Sequence, residues 1–102
     1  MESALYDASV APLEIMETVL ASMDLLEVLG EKGSRLALSD VGVGILFAQA
    51  ALERASLNVF INTRLMKDRG RAEELNGRAD RMIAEGRGKK ERIYSQVLQS
   101  VK

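Results

Sequence analysis

Residues 41–61 read VGVGILFAQAALERASLNVFI. At about 100° per residue, apolar side chains fall on every side of this run, and nothing in the chain alternates as a half-buried strand would. The run has nearly the length of a membrane span. Glu53 and Arg54 sit near its middle, however, where a bilayer makes charge costly. A helix that is apolar around its circumference in a water-soluble protein is a buried central helix. It needs neighbours on all sides, and the rest of the chain offers only about three more helices, at the usual helix lengths. The shortage predicts self-association or a missing piece of protein.

Outward from this run, the chain reads as all-α. From Pro12 to Leu29, the residues Met16, Val19, Leu20, Met23 and Leu26 form one stripe at helical spacing. Pro12 suits a first helical turn, where a missing N–H is no loss, and Gly30 suits the position just past the end. Glu2–Val10 then forms a short lead-in helix or one arm of a kink. Gly30–Leu38 is the expected loop. Ser39 or Asp40 is the expected N-cap of the central helix, because its side-chain oxygen accepts from an orphan N–H.

Beyond the central run, Leu65–Glu85 is heavily charged, with a thin stripe of Leu75, Ala79, Met82 and Ile83. Gly70, Gly77, Gly86 and Gly88 each weaken a helix by up to about 1 kcal/mol. Glu91–Val101 carries Ile93, Tyr94, Val97, Leu98 and Val101 as an amphipathic helix that continues the third or bends away at Gly86–Gly88. The expected architecture is a bundle of three to four helices around a buried central one.

Composition narrows the chemistry. At 102 residues, 47% hydrophobic and 28% charged, the chain makes one ordinary globular domain. It contains neither cysteine nor histidine, which excludes disulfides, thiolate metal sites and a cysteine nucleophile. The commonest general base and zinc ligand is also missing. A cysteine-free chain without a signal peptide fits the cytoplasm. The net charge of −1 hides an asymmetry, with a sum of −6 over residues 1–63 and +5 over residues 64–102. A basic half attracts polyanions, but its one aromatic residue, Tyr94, offers almost no stacking platform for single-stranded nucleic acid. Its interleaved acids point instead to a solvated face with i,i+4 pairs. The expected partners include neither nucleic acid nor a membrane.

The polar residues of the central helix are the remaining candidates. Asp40 and Asn58 share an azimuth but lie about 27 Å apart along the axis, so one small ligand cannot touch both within a single chain. Asn58 and Asn62 face the same way one turn apart. Arg54 lies within about 40° of that line, and Gly44, Ala51 and Ala55 keep this side narrow. Gln49, Glu53 and Ser56 occupy the opposite side. Two asparagines so placed present amides either to a ligand or to the orphan carbonyls of a neighbouring helix. Both readings remain open from spacing alone. Arg64 and Lys67, past the helix end, suit an anion or the helix dipole.

The strings EKG-x4-LSDVGVG and AALERASLNVFINTRLMKD resemble the C-terminal half of the formiminotransferase-cyclodeaminase/methenyltetrahydrofolate cyclohydrolase family of helical folate enzymes. ALYDASVAP (4–12) resembles the lead-in helix of that region, and ERIYSQVLQSVK (91–102) the tail of bacterial cyclohydrolases. The resemblance implies that residues 1–102 are the second half of a fold about twice as long, and that the proton-transfer aspartate lies in the absent first half. On that reading the catalytic residues of this chain are unknown and the chain is inactive alone.

The implied reaction is hydrolysis of 5,10-methenyltetrahydrofolate to the 10-formyl compound. The alternatives are the cyclodeaminase step on formiminotetrahydrofolate and a non-catalytic self-associating module. No metal or cofactor beyond the folate substrate is implied. Ser39, Asp40, Gly42, Asn58 and Asn62 match the family pattern, with Lys67 and Asp68 less distinctive. Asn58 and Asn62 would position the pterin or the bridge, Asp40 would act across a chain boundary, and Lys67 or the basic tail would receive the glutamate carboxylates. Cover for the central helix would come from an N-terminal half chain or from a homodimer.

Overall fold

The computed structural model describes residues 1–32 and 35–102. Three long helices account for nearly all of them: α1 (Glu2–Lys32), α2 (Arg35–Arg64) and α3 (Arg69–Val101). They lie side by side in a rod of 51 × 17 × 16 Å. The core runs along the rod from Leu13, Met16, Leu20 and Met23 of α1 to Ile45, Leu52 and Val59 of α2. Ala72, Leu75, Ala79, Ile93 and Val97 close it from α3. The expected α1 stripe thus faces inward, with Val19 and Leu26 half-buried beside it.

Several boundaries differ from the sequence expectation. Gly30–Lys32 and Arg35–Leu38 are helical, and Gly33–Ser34 lie outside the described residues. Because α2 starts at Arg35, Ser39 and Asp40 stand inside it and do not cap it. The cap that forms is Asp68, which accepts from the Arg71 N–H at 3.1 Å and starts α3 after a short turn. α3 passes through Gly70, Gly77, Gly86 and Gly88 without a break. Tertiary packing overrides four weak propensities here.

Pro12 lies eleven positions along α1 rather than in its first turn. It has no N–H to give the carbonyl of Ala8, its i−4 acceptor. Asn62 of α2 supplies that donor, with Nδ2 3.1 Å from the Ala8 oxygen and 2.9 Å from the Asn58 oxygen. A hydrogen bond from one helix therefore repairs the ladder of another. Asn62→Ala is expected to cost about 1–1.5 kcal/mol, the net worth of such bonds. In a Pro12→Ala background, where the backbone donor returns, that cost shrinks. A double-mutant cycle by urea denaturation measures the coupling, and additive effects would contradict it.

The charge asymmetry becomes contacts between helices. Arg78, Lys89 and Arg92 of α3 pair with Glu17, Asp24 and Glu27 of α1, and Arg87 pairs with Glu53 of α2. Among the described residues only Arg69–Glu73 is an i,i+4 ion pair, so the expected solvated-face pairing is mostly replaced by pairing across the bundle. Exposed pairs contribute little stability, about 0–1 kcal/mol each. Their arrangement nonetheless fits only one register of α3 against α1. Arg71 also stacks on the Tyr6 ring at 3.8 Å from its centroid, joining the same two helices at the other end.

Three carboxylates are held below their ordinary value of 4.5 by hydrogen bonds. Glu2 accepts from the backbone N–H groups of Lys67 and then Asp68, Glu27 from the Arg92 guanidinium, and Glu53 from the Gln49 amide and then Arg87. A depressed carboxylate stabilises the fold fully above its unfolded pKa, and that stabilisation is lost as pH falls through the lower folded value. Tm is therefore expected to be flat near neutrality and to fall below about pH 4.5. Glu27→Gln should flatten part of that acid limb in thermal melts followed by circular dichroism. An unchanged slope would remove Glu27 from the account.

Candidate functional site

The inward side of α2 mixes the apolar Ile45, Leu52 and Val59 with polar side chains. Gln49, Ser56 and Thr63, spaced seven apart, are buried. Thr63 donates to Asn76 Oδ1 of α3 at 2.6 Å, and Gln49 Nε2 donates to Glu53 at 3.1 Å. A second set of large apolar residues points away from the bundle. Val43, Phe47, Leu57, Ile61 and Leu65 are 50–72% exposed. On α1, Ile15 and Leu29 are more than half exposed, and their spacing of fourteen keeps them on one stripe. An open face with this many large apolar side chains marks an interaction surface. The shortage of neighbours inferred from residues 41–61 is therefore real, and it is concentrated on one side.

Within that face lies an open groove of about 490 Å³. Ala50, Ala51 and Ala55 form its floor, with Ile15 and Phe47 at its sides and Arg54 and Asn58 as its polar groups. Among the described residues, neither the Arg54 guanidinium nor the Asn58 side-chain amide has a hydrogen-bond partner. Asn62 stands one turn on, its Nδ2 engaged by two backbone carbonyls. Lys67 is exposed in the turn after α2, its N–H donated to Glu2 at 2.8 Å. Asn58, Asn62 and Lys67 thus gather at one end of the rod. Ser39 and Asp40 are exposed near the other. A second, smaller apolar hollow of about 190 Å³ lies beside Ser39, between Gly42 and Tyr94.

The model of the formiminotransferase-cyclodeaminase family matches residues 1–81. The chain belongs to this family. Over 101 residues it is also 37% identical to the methenyltetrahydrofolate cyclohydrolase of Methylorubrum extorquens, a match covering 99% of this chain and 49% of that protein. The formiminotransferase-cyclodeaminase match takes in α1, α2 and α3 as far as Arg81. The chain spans about half the length of the curated relative.

Sequence reasoning did not single out the groove. Spacing placed Arg54 close to the Asn58 line, but the groove also needs Ile15, which arrives from α1. No helix of the described residues is long and apolar enough to cross a membrane.

Proposed function

We propose that this chain is the C-terminal half of a methenyltetrahydrofolate cyclohydrolase and hydrolyses 5,10-methenyltetrahydrofolate when joined by the other half of the fold. The observation that carries this reading is the 37% identity along 99% of the chain to a protein of that name. The open face of α1 and α2 supports the need for a second body, because a stable fold seldom leaves such a face in water. Either a separate N-terminal half or a second copy of the chain would cover it. Asn58 and Lys67 would hold the substrate beside a proton-transfer group from the covering half, with no further cofactor. Asn62, its amide nitrogen committed to the backbone, would offer its Oδ1 as an acceptor. Ser39 and Asp40 would reach a second site across the chain boundary. A cytoplasmic location suits the cysteine-free composition.

Turnover tests the proposal. The chain alone, and the chain mixed with the first half of the Methylorubrum protein, are assayed by loss of methenyl-folate absorbance. The mixture is expected to exceed the buffer rate and the chain alone to match it. If neither preparation exceeds buffer, the enzyme reading falls and a non-catalytic helical module replaces it. Ammonia release from formiminotetrahydrofolate without methenyl hydrolysis would move the assignment to the cyclodeaminase branch of the family.

A further inference from the structure

The large apolar residues of the open face come in two groups along α2. Val43, Leu46 and Phe47 stand toward one end, and Leu57, Ile61 and Leu65 toward the other. Between them the exposed apolar side chains shrink to Ala50 and Ala51, with the single long polar chain of Arg54 beside them. A helix laid along this face would rest on the two groups of large side chains and stand off over the alanines. Covering the face therefore turns the open groove into an enclosed hollow rather than filling it. The hollow would have an alanine floor, an aromatic wall in Phe47, and two polar groups, Arg54 and Asn58. Small-molecule sites have this composition: an apolar cavity with a few convergent polar groups.

The charge identifies which part of a ligand belongs there. Among the described residues, Arg54 is the only charged one lining the groove, and it has no carboxylate partner. A guanidinium enclosed without an anion is costly, whereas one paired with a carboxylate makes a short, strong and often bidentate bond. The bridge of a methenyl-folate is itself cationic and would be repelled. The acidic tail is complementary.

Resting on the cyclohydrolase reading, we infer that the α1/α2 groove seats the p-aminobenzoyl-glutamate end of the folate substrate, with the flat ring on the alanine floor against Phe47 and a glutamate carboxylate on Arg54. Arg54 is then a substrate-binding residue that selects for the anionic tail. A carboxylate side chain of the covering half is the competing occupant.

The test uses the full chain, with 5-formyltetrahydrofolate and an analogue with an uncharged tail, the primary amide of 5-formyltetrahydropteroic acid, as probes in NMR titrations up to millimolar concentration. The folate probe is expected to bind at least about tenfold more tightly than the analogue, the scale of one charge-assisted contact. Shifts should centre on Ala51, Arg54 and Asn58. Arg54→Gln should erase that preference by weakening the folate probe alone, and Arg54→Lys should restore part of it. Ala51→Leu, which fills the floor, should weaken both probes. The inference is overturned if Arg54→Gln affects both probes equally or neither, if the shifts centre on Ser39 and Tyr94, or if no binding is detected. Should the mixed halves still hydrolyse methenyl-folate in any of those cases, the cyclohydrolase reading survives and only the groove assignment is lost.

Discussion

Gly86→Val is expected to destabilise the chain by about 2–4 kcal/mol, whereas Gly88→Ala, two residues away, should stabilise it by up to about 1 kcal/mol. Gly86 is buried where α3 crosses α2. A Cβ there would collide with Leu52 Cδ2 and lie 2.6 Å from Gln49 Oε1. Leu52 is fully buried and Gln49 nearly so, so neither has open space to turn into. A Cβ on Gly88 meets nothing within 4 Å. Valine at 86 therefore adds overpacking that outweighs its better helix propensity over glycine. Alanine at 88 only removes the backbone freedom of glycine. Urea denaturation of the two variants separates the effects. Equal and small changes in both would mean that α2 and α3 do not approach as closely as described.

That pair of glycines shows where the sequence was readable and where it was not. Both look alike as residues that weaken a helix, because intrinsic propensity contains no information about a neighbouring helix. The inward stripe of α1 was legible, since Met16, Leu20 and Met23 are large, apolar and spaced three or four apart. The inward face of α3 was only half legible. Its seam runs through Ala72, Ala79 and Gly86 to a mostly buried Lys89, whose side chain is 16% exposed and held by Asp24 at 2.8 Å. Small and charged residues in a packed seam do not register as a hydrophobic period. Ser39–Asp40 misled for a similar reason: a good cap pair has the same appearance inside a helix, and the chain had already turned helical at Arg35.

The candidate site divides in the same way. The shared azimuth of Arg54, Asn58 and Asn62 follows from spacing. What separates their roles does not. Asn62 serves the Ala8 carbonyl because Pro12, fifty residues earlier, cannot. Asn58 and Arg54 remain available because Ile15 and three alanines leave a hollow beside them. Both facts depend on the pairing of α1 with α2, which no single-helix pattern contains.

The largest effect is expected on the open face itself. Leu57→Asp combined with Ile61→Asp should leave the helicity and Tm of the isolated chain nearly unchanged, because both side chains are about 60% exposed and surface changes usually stay within about 0.5 kcal/mol. The same pair should abolish turnover by the mixed halves, lowering it at least about 100-fold. Burying two unpaired carboxylates under a covering body costs several kcal/mol, and each 1.4 kcal/mol is about a tenfold loss of association. Leu52→Ala, a fully buried neighbour on the same helix, is the opposite control. It should cost about 2–5 kcal/mol of stability in the isolated chain. Thermal melts of each chain alone, with light scattering and methenyl-folate absorbance on the mixtures, read both quantities. If the double aspartate variant unfolds as readily as the Leu52 variant, the face is part of this chain's own core. If the variant associates and turns over like the parent chain, the covering body sits elsewhere, because an apolar surface with both anions still in water has not been covered.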